Sequence, residues 1–185
     1  GKPSMMVIRP ADAVETTIAW EMAMENNDTP TALILSRQDI KDLPAATGNR
    51  YEEAQGLKQG AYVVIDTPHP QVVLIANGSE VSLLCEVAAM LDEQDIQCRV
   101  VSAPSIGIFE CQSEEYKESV LPVGIPRFGL TAGLPSTLLP LVGSDGKIFG
   151  MERFGASAPY KVLDEKFGFT AQNILEQVTK FLAEK

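Results

Sequence analysis

The sequence has no apolar run long enough to span a membrane. No hydrophobic stretch reaches the about eighteen residues of a transmembrane helix, and the first residues lack a signal-peptide pattern. Positive charge is also scarce, with 15 Lys and Arg against 25 Asp and Glu, which gives a net charge of −10. This balance argues against nucleic acids and anionic membranes as partners. We therefore expect a globular protein of the cytoplasm.

Cysteine and histidine are also sparse. The three cysteines, Cys85, Cys98 and Cys111, are odd in number and lack the spacing of metal ligands. We expect them to be reduced thiols, as in cytosolic proteins. The single histidine, His69, lies between two prolines, where we expect a solvated turn residue rather than a general base.

A strand–helix–strand unit over residues 72–101 organises the chain. Residues 72–76 are a short apolar run, which is typical of a strand buried on both faces. Ser79 is a good N-cap for the following helix, whose apolar residues recur at helical spacing. A second strand begins at Cys98. The length of the unit predicts a βαβ arrangement.

The turn at Gly78 and Ser79 is a candidate anion site, because its backbone N–H groups lie at the start of a helix. It lacks the glycine spacing of a dinucleotide site or a P-loop, and Glu80 would repel an anion. We expect an ordinary strand-to-helix turn at this position.

A second βαβ unit is predicted near the start of the chain, over residues 5–36. Asp12 and Glu15 form a capping-box pattern at the start of its helix, and we expect Trp20 on that helix to pack in the core. Two strands and one helix bury too little surface to fold alone. Residues 1–37 are therefore predicted to be the tail of a larger α/β domain whose earlier strands are missing.

Arg37 follows directly after the second strand of this unit. Ligands of open α/β sheets bind outside the carboxyl ends of the strands. The guanidinium group of an arginine suits phosphate or carboxylate. Position alone leaves a surface ion pair as an equal alternative.

Residues 38–60 are polar and show no sustained period, which favours a linker between domains. Residues 61–185 are predicted to form one domain with a mostly parallel sheet in three layers. Residues 61–66 are predicted as a strand that runs antiparallel to the strand at 72–76, because a proline-rich turn connects them. Ser113 and Thr170 are predicted to cap later helices.

Taken in this order, the sequence resembles transketolase over nearly its whole length. Eight short stretches carry the resemblance, and their order makes it specific: residues 8–12 (IRPAD), 35–38 (LSRQ), 60–63 (GAYV), 78–81 (GSEV), 99–105 (RVVSAPS), 115–122 (EYKESVLP), 154–159 (FGASAP) and 167–170 (FGFT). The resemblance begins within the pyrimidine-binding domain of the family and covers its whole C-terminal domain.

The resemblance implies a two-carbon ketol transfer between sugar phosphates, with thiamine diphosphate and a divalent metal such as Mg²⁺. The resemblance also implies that Arg37 binds the phosphate group of the substrate. The cofactor-binding and catalytic residues of the family would precede Gly1, and Asp12, Glu15 and His69 match none of them. The chain is thus expected to be inactive alone, to need a missing N-terminal half or a separate subunit, and to belong to a homodimer.

The chain departs from the family at Thr131, where a glutamate is usual, and at Leu138 and Leu141, where a tryptophan and a tyrosine are usual. These departures affect packing and dimer contacts. Two other functions remain open at this point. One is part of another thiamine enzyme, either a deoxyxylulose-phosphate synthase or a dehydrogenase β subunit. The other is a stand-alone module that binds a small anion at the Gly78–Ser79 turn.

Overall fold

The computed structural model describes residues 4–185, which form two sheets with helices packed around them. The strands are β1 (Met6–Ile8), β2 (Thr31–Leu33), β3 (Tyr62–Ile65), β4 (Val72–Ala76), β5 (Cys98–Ser102), β6 (Arg127–Leu130) and β7 (Lys147–Phe149). The α-helices are α1 (Ala13–Glu25), α2 (Arg50–Ala54), α3 (Glu80–Asp92), α4 (Ile106–Glu110), α5 (Glu114–Val120), α6 (Leu139–Val142), α7 (Tyr160–Phe167) and α8 (Ala171–Ala183). Short 3-10 helices cover Gln55–Gln59 and Pro135–Leu138. Within residues 4–185 no helix is long and apolar enough to cross a membrane.

The larger sheet has the order β3-β5-β4-β6-β7, with one antiparallel pair. Strand β4 lies at its centre, and all five of its residues are buried. A neighbouring strand pairs with each of its edges, and both of its faces are covered. Strands β5, β6 and β7 all run parallel to it. The predicted α/β class, with a mostly parallel sheet and one antiparallel strand, is confirmed.

Strand β3 has a different neighbour from the one its proline-rich turn suggests. It runs opposite to β4 in direction, as predicted, but it pairs with β5 at the edge of the sheet. Both sides of β4 are occupied by the parallel partners β5 and β6. The alternating burial of β3 is typical of a strand with one covered face.

Helix α1 begins at the N-cap Asp12 with the predicted capping-box-like pair, in which the Glu15 side chain accepts from the residue before the N-cap. The Glu15 N–H donates to Asp12 Oδ1 at 2.7 Å, and the Ala11 N–H donates to Glu15 Oε2 at 2.8 Å. The expectation that Trp20 packs in the core is wrong, because its side chain is 53% exposed. Ile18 is fully buried, and a residue two positions further on points to about the opposite side of a helix.

Residues 38–60, for which the sequence predicts no regular element, contain α2 and a 3-10 helix. Leu43, Ala54 and Leu57 from this segment are buried in one hydrophobic cluster with Ile18 of α1 and Leu74 of β4. The first βαβ unit and the larger sheet therefore share a core. The domain boundaries at 37 and 60 stay a prediction.

The opposite face of the larger sheet has its own apolar cluster, to which Leu138 and Leu141 contribute. The two leucines are 0% and 2% exposed, so they fill this face as aliphatic core residues. Thr131, directly after β6, is also buried, and its hydroxyl accepts a hydrogen bond from the Gly133 N–H at 3.0 Å. The three departures from the family pattern are thus accommodated without an unpartnered polar group.

Candidate functional site

Arg37 lies in the segment that follows β2. The Ile34 N–H still donates to the Ile8 carbonyl at 2.9 Å, after which the chain leaves the sheet. The exposed Arg37 lines a cleft of about 890 Å³, which is bounded on the other side by the start of α3 and by α7. Glu80, Lys161 and Asp164 are among the lining residues on that side. The cleft therefore lies at the carboxyl end of β2, where open sheets bind ligands.

Among residues 4–185, Arg37 differs from the five other arginines in having no hydrogen-bond or ion-pair partner. Each of the others makes a hydrogen bond, an ion pair or a ring contact: Arg9, Arg50, Arg99, Arg127 and Arg153. Within residues 4–185 the guanidinium of Arg37 makes no hydrogen bond or ion pair. The surface ion pair that the sequence left open for Arg37 therefore has no acidic partner among these residues. A planar, permanently charged group in a cleft can bind an anionic oxygen group from outside the chain.

The side chain of Arg9 occupies the space beside the Gly78–Ser79 turn. Arg9 Nη1 donates to Asn77 Oδ1 at 2.7 Å and forms an ion pair with Glu80. Gly78 has φ +63°, and a Cβ atom there would come within 2.7 Å of Arg9 Nε. The space beside the turn is therefore occupied by a cation of the protein itself.

The predicted side-chain cap at Ser79 is wrong. Its hydroxyl makes no capping hydrogen bond and donates to Glu80 Oε1 at 2.8 Å. The other carboxylate oxygen of Glu80 accepts from the Ala132 N–H at 3.2 Å. Ser79 has helical dihedral angles, φ −57° and ψ −23°, instead of the extended ones from which a capping oxygen accepts a hydrogen bond from the N–H groups of the first turn.

A buried polar network joins the first βαβ unit to the larger sheet. Glu15 Oε1 accepts from the Tyr62 hydroxyl at 2.6 Å, from the Ser102 hydroxyl at 2.8 Å and from Arg50 Nη2 at 3.4 Å. Arg50 Nε donates to Asp12 Oδ2 at 2.7 Å. Burial raises the pKa of Glu15, and the hydrogen bonds from Tyr62 and Ser102 offset part of that rise. None of these residues lines the cleft, so the network holds the fold together.

Sequence reasoning missed Arg50, because it lies in a segment without hydrophobic periodicity. A local signal was present. Asn49 and Glu52 form an N-cap pattern, and the Glu52 N–H donates to Asn49 Oδ1 at 3.3 Å. That pattern would have predicted α2, although not the partners of Arg50 in α1 and β3.

The other titratable candidates have no role in the cleft. His69 is exposed in its turn, as expected. All three cysteines are free thiols, and burial raises the pKa of Cys98 to about 11 and that of Cys85 to about 12. These two thiols therefore stay protonated at neutral pH and are poor nucleophiles.

Residues 60–170 match the family model of the transketolase-like C-terminal domain. The chain belongs to the transketolase family. It is 46% identical over 178 residues to the transketolase of Staphylococcus aureus strain MW2, covering 95% of this chain and 26% of that protein. The chain thus spans about a quarter of the length of the curated transketolases that it matches.

Solved transketolase structures share the fold. A Pichia stipitis transketolase in complex with sedoheptulose 7-phosphate superposes with a TM-score of 0.86 at 35% identity, over 98% of this chain and 25% of that one. A split-gene transketolase, described as an inactive β4 tetramer, superposes with a TM-score of 0.75 over 98% of this chain and 59% of its own. At 22% identity the second likeness concerns the fold alone.

Proposed function

We propose that this chain is the C-terminal portion of a transketolase that transfers a two-carbon ketol unit between sugar phosphates in the pentose phosphate pathway. In this proposal residues 1–37 are the end of the pyrimidine-binding domain, residues 38–60 are the connection, and residues 61–185 are the C-terminal domain. Family membership and the shared fold support the proposal. The parent enzyme would be a homodimer of the cytoplasm.

The role proposed for Arg37 is to bind the phosphate of the sugar substrate. The observation that carries this role is the guanidinium in the cleft at the carboxyl end of β2, which has no hydrogen-bond or ion-pair partner among residues 4–185. A charge-assisted, two-pronged contact fits the oxygens of a phosphate group. The bound sugar phosphate in the Pichia stipitis transketolase shows that a relative binds this class of ligand.

The part of the chain that the structure describes does not fit a metal or diphosphate site. Among residues 4–185 no three His, Cys, Asp or Glu side chains converge as metal ligands. The turn that could receive an anion, at Gly78, is filled by Arg9. We therefore place thiamine diphosphate and its divalent metal, Mg²⁺, on the portion of the parent enzyme outside this chain.

That portion is the partner we propose for the chain. It is either the upstream part of one longer polypeptide or a separate subunit, an arrangement for which the split-gene transketolase is a precedent. In both arrangements the chain contributes assembly and one substrate contact, Arg37.

Reconstitution tests the proposal. The chain alone, supplied with thiamine diphosphate and Mg²⁺, is expected to show no ketol transfer from a ketose phosphate, because the groups that hold and orient the cofactor are absent. Co-expression with the upstream portion of the same enzyme is expected to give activity. Turnover by the rigorously purified chain alone, or an inactive complex of the two portions, would contradict the proposed function.

A further inference from the structure

Arg9 and Glu80 form a charged pair in the wall of the cleft that contains Arg37. Both residues line that cleft, and their side chains are 24% and 7% exposed. Arg9 directly follows β1, and Glu80 is the first residue of α3. Within residues 4–185, no other lysine or arginine forms an ion pair with the Glu80 carboxylate. The charge of this little-exposed carboxylate is therefore balanced by Arg9.

Further contacts fix both members of the pair. Arg9 Nη1 also donates to the Asn77 carbonyl at 3.0 Å and to Asn77 Oδ1 at 2.7 Å. Gly78 leaves room for the guanidinium, since a Cβ atom there would come within 2.7 Å of Arg9 Nε. The Ala132 N–H, beyond the end of β6, donates to Glu80 Oε2 at 3.2 Å. The cation and the carboxylate are thus held at defined positions in the cleft wall.

Negative charge prevails in the cleft. Acidic residues outnumber basic ones among the residues that line it. Asp164 on α7 is one of them, and within residues 4–185 its carboxylate has no hydrogen-bond or ion-pair partner. Burial raises the pKa of Asp164, and the charge of Glu80 raises it further. Glu80 therefore acts electrostatically beyond its own ion pair, and without Arg9 its full charge would act on an anion in the cleft.

We propose that Arg9 is a positioning residue for the recognition of phosphorylated substrates, which holds Glu80 and cancels its charge in the cleft where Arg37 would bind the phosphate. The inference rests on the proposed function, because it assumes that role of Arg37. Phosphate groups carry almost two negative charges at neutral pH, so an unbalanced carboxylate nearby repels them. In this role Arg9 acts through Glu80 and makes no contact with the substrate.

Steady-state assays of the complete enzyme with two donor substrates, a ketose phosphate and a simple hydroxyketone, test the inference. Arg9→Met is expected to raise KM for the ketose phosphate about five- to tenfold, and to leave kcat and the KM for the hydroxyketone within about twofold. The ratio of the ketose phosphate KM values of variant and unsubstituted enzyme should fall as ionic strength rises from about 0.05 M to about 0.5 M, because salt screens the repulsion.

Glu80→Gln changes the charge of the cleft in the opposite direction. It is expected to lower the KM for the ketose phosphate about twofold, because Arg9 then adds positive charge. In the double variant with Arg9→Met, that KM should return to within about twofold of the value for the unsubstituted enzyme. Arg9→Lys keeps the charge without the planar geometry, so it should retain most of the affinity for the ketose phosphate.

Arg99→Met is the matched control. Arg99 also pairs with a carboxylate, that of Asp66, and donates to a backbone carbonyl, that of Ser119, at 2.7 Å. Its side chain is 13% exposed and lies outside the cleft lining. Its loss should therefore leave the KM values for both donor substrates within about twofold of those of the unsubstituted enzyme.

A purely structural role for the pair predicts different results. Equal losses for both donor substrates in Arg9→Met, or a higher KM for the ketose phosphate in Glu80→Gln, would overturn the inference. If Arg9→Met does not fold, the sign of the change in Glu80→Gln decides. Any such failure leaves the proposed function intact where Arg37→Ala still discriminates between the two donor substrates. If the complete enzyme transfers no ketol unit, the proposed function is wrong and the inference with it.

Discussion

Replacing Arg37 by alanine in the complete enzyme is expected to lower kcat/KM for phosphorylated sugars by about ten- to a hundredfold. The loss corresponds to about 1.5–3 kcal/mol, the contribution of a charge-assisted hydrogen bond. It should appear mainly as a higher KM, because the phosphate is remote from the reacting carbonyl. A simple hydroxyketone donor has no phosphate and should lose less than about twofold. Steady-state assays with the two donors in parallel measure the difference.

Arg37→Lys separates charge from geometry. The point charge survives in this variant but the two-pronged contact does not, so we expect partial recovery. Arg153→Ala is the control for the loss of an exposed arginine, because Arg153 lies outside the cleft lining, although its guanidinium packs over the ring of the lining residue Phe167. Equal losses for both donors in Arg37→Ala, accompanied by a lower melting temperature, would assign Arg37 a structural role instead.

The second large effect concerns stability. Arg50→Met is expected to lower the free energy of unfolding of the chain by about 3–5 kcal/mol, because it leaves the buried carboxylates of Asp12 and Glu15 without their cation. Both carboxylates are 0% exposed. Urea unfolding, followed by the fluorescence of Trp20 and by far-ultraviolet circular dichroism, measures the change. The two transitions should coincide in the unsubstituted chain, because the two βαβ units share one core.

Asp66→Asn is the control for the loss of an ion pair as such. The pair between Arg99 and Asp66 has N–O distances of 2.8 and 2.9 Å, but Asp66 is about half exposed. Its removal should cost less than about 1 kcal/mol. A similar small cost in Arg50→Met, or separate transitions for the two probes, would contradict a central role for the buried network.

The parts of the fold that follow from local patterns could be predicted. The continuous apolar run of β4 requires burial on both faces, and the Asp12–Glu15 capping box closes within three residues of sequence. The end of β2 is also visible in the sequence, so the position of Arg37 just beyond a strand could be predicted. These features depend on neighbours along the chain, which the sequence shows directly.

The predictions that were wrong or missing concern features that depend on contacts between residues far apart in the sequence. Strand β3 pairs with β5, more than thirty positions along the chain, because β4 has no free edge. Arg50 meets Asp12 across 38 positions, which no local period reveals. Trp20 was misplaced because α1 carries apolar residues on both sides, so periodicity could not decide which side faces the core.

A crystal structure of the complete enzyme with a bound ketose phosphate would test the central claim most directly. The account predicts phosphate oxygens within hydrogen-bonding distance of the Arg37 guanidinium, at about 2.7–3.1 Å, at the carboxyl end of β2. It also predicts that the cofactor contacts residues outside this chain. A substrate phosphate bound elsewhere, with Arg37 paired to a carboxylate of the protein, would contradict it.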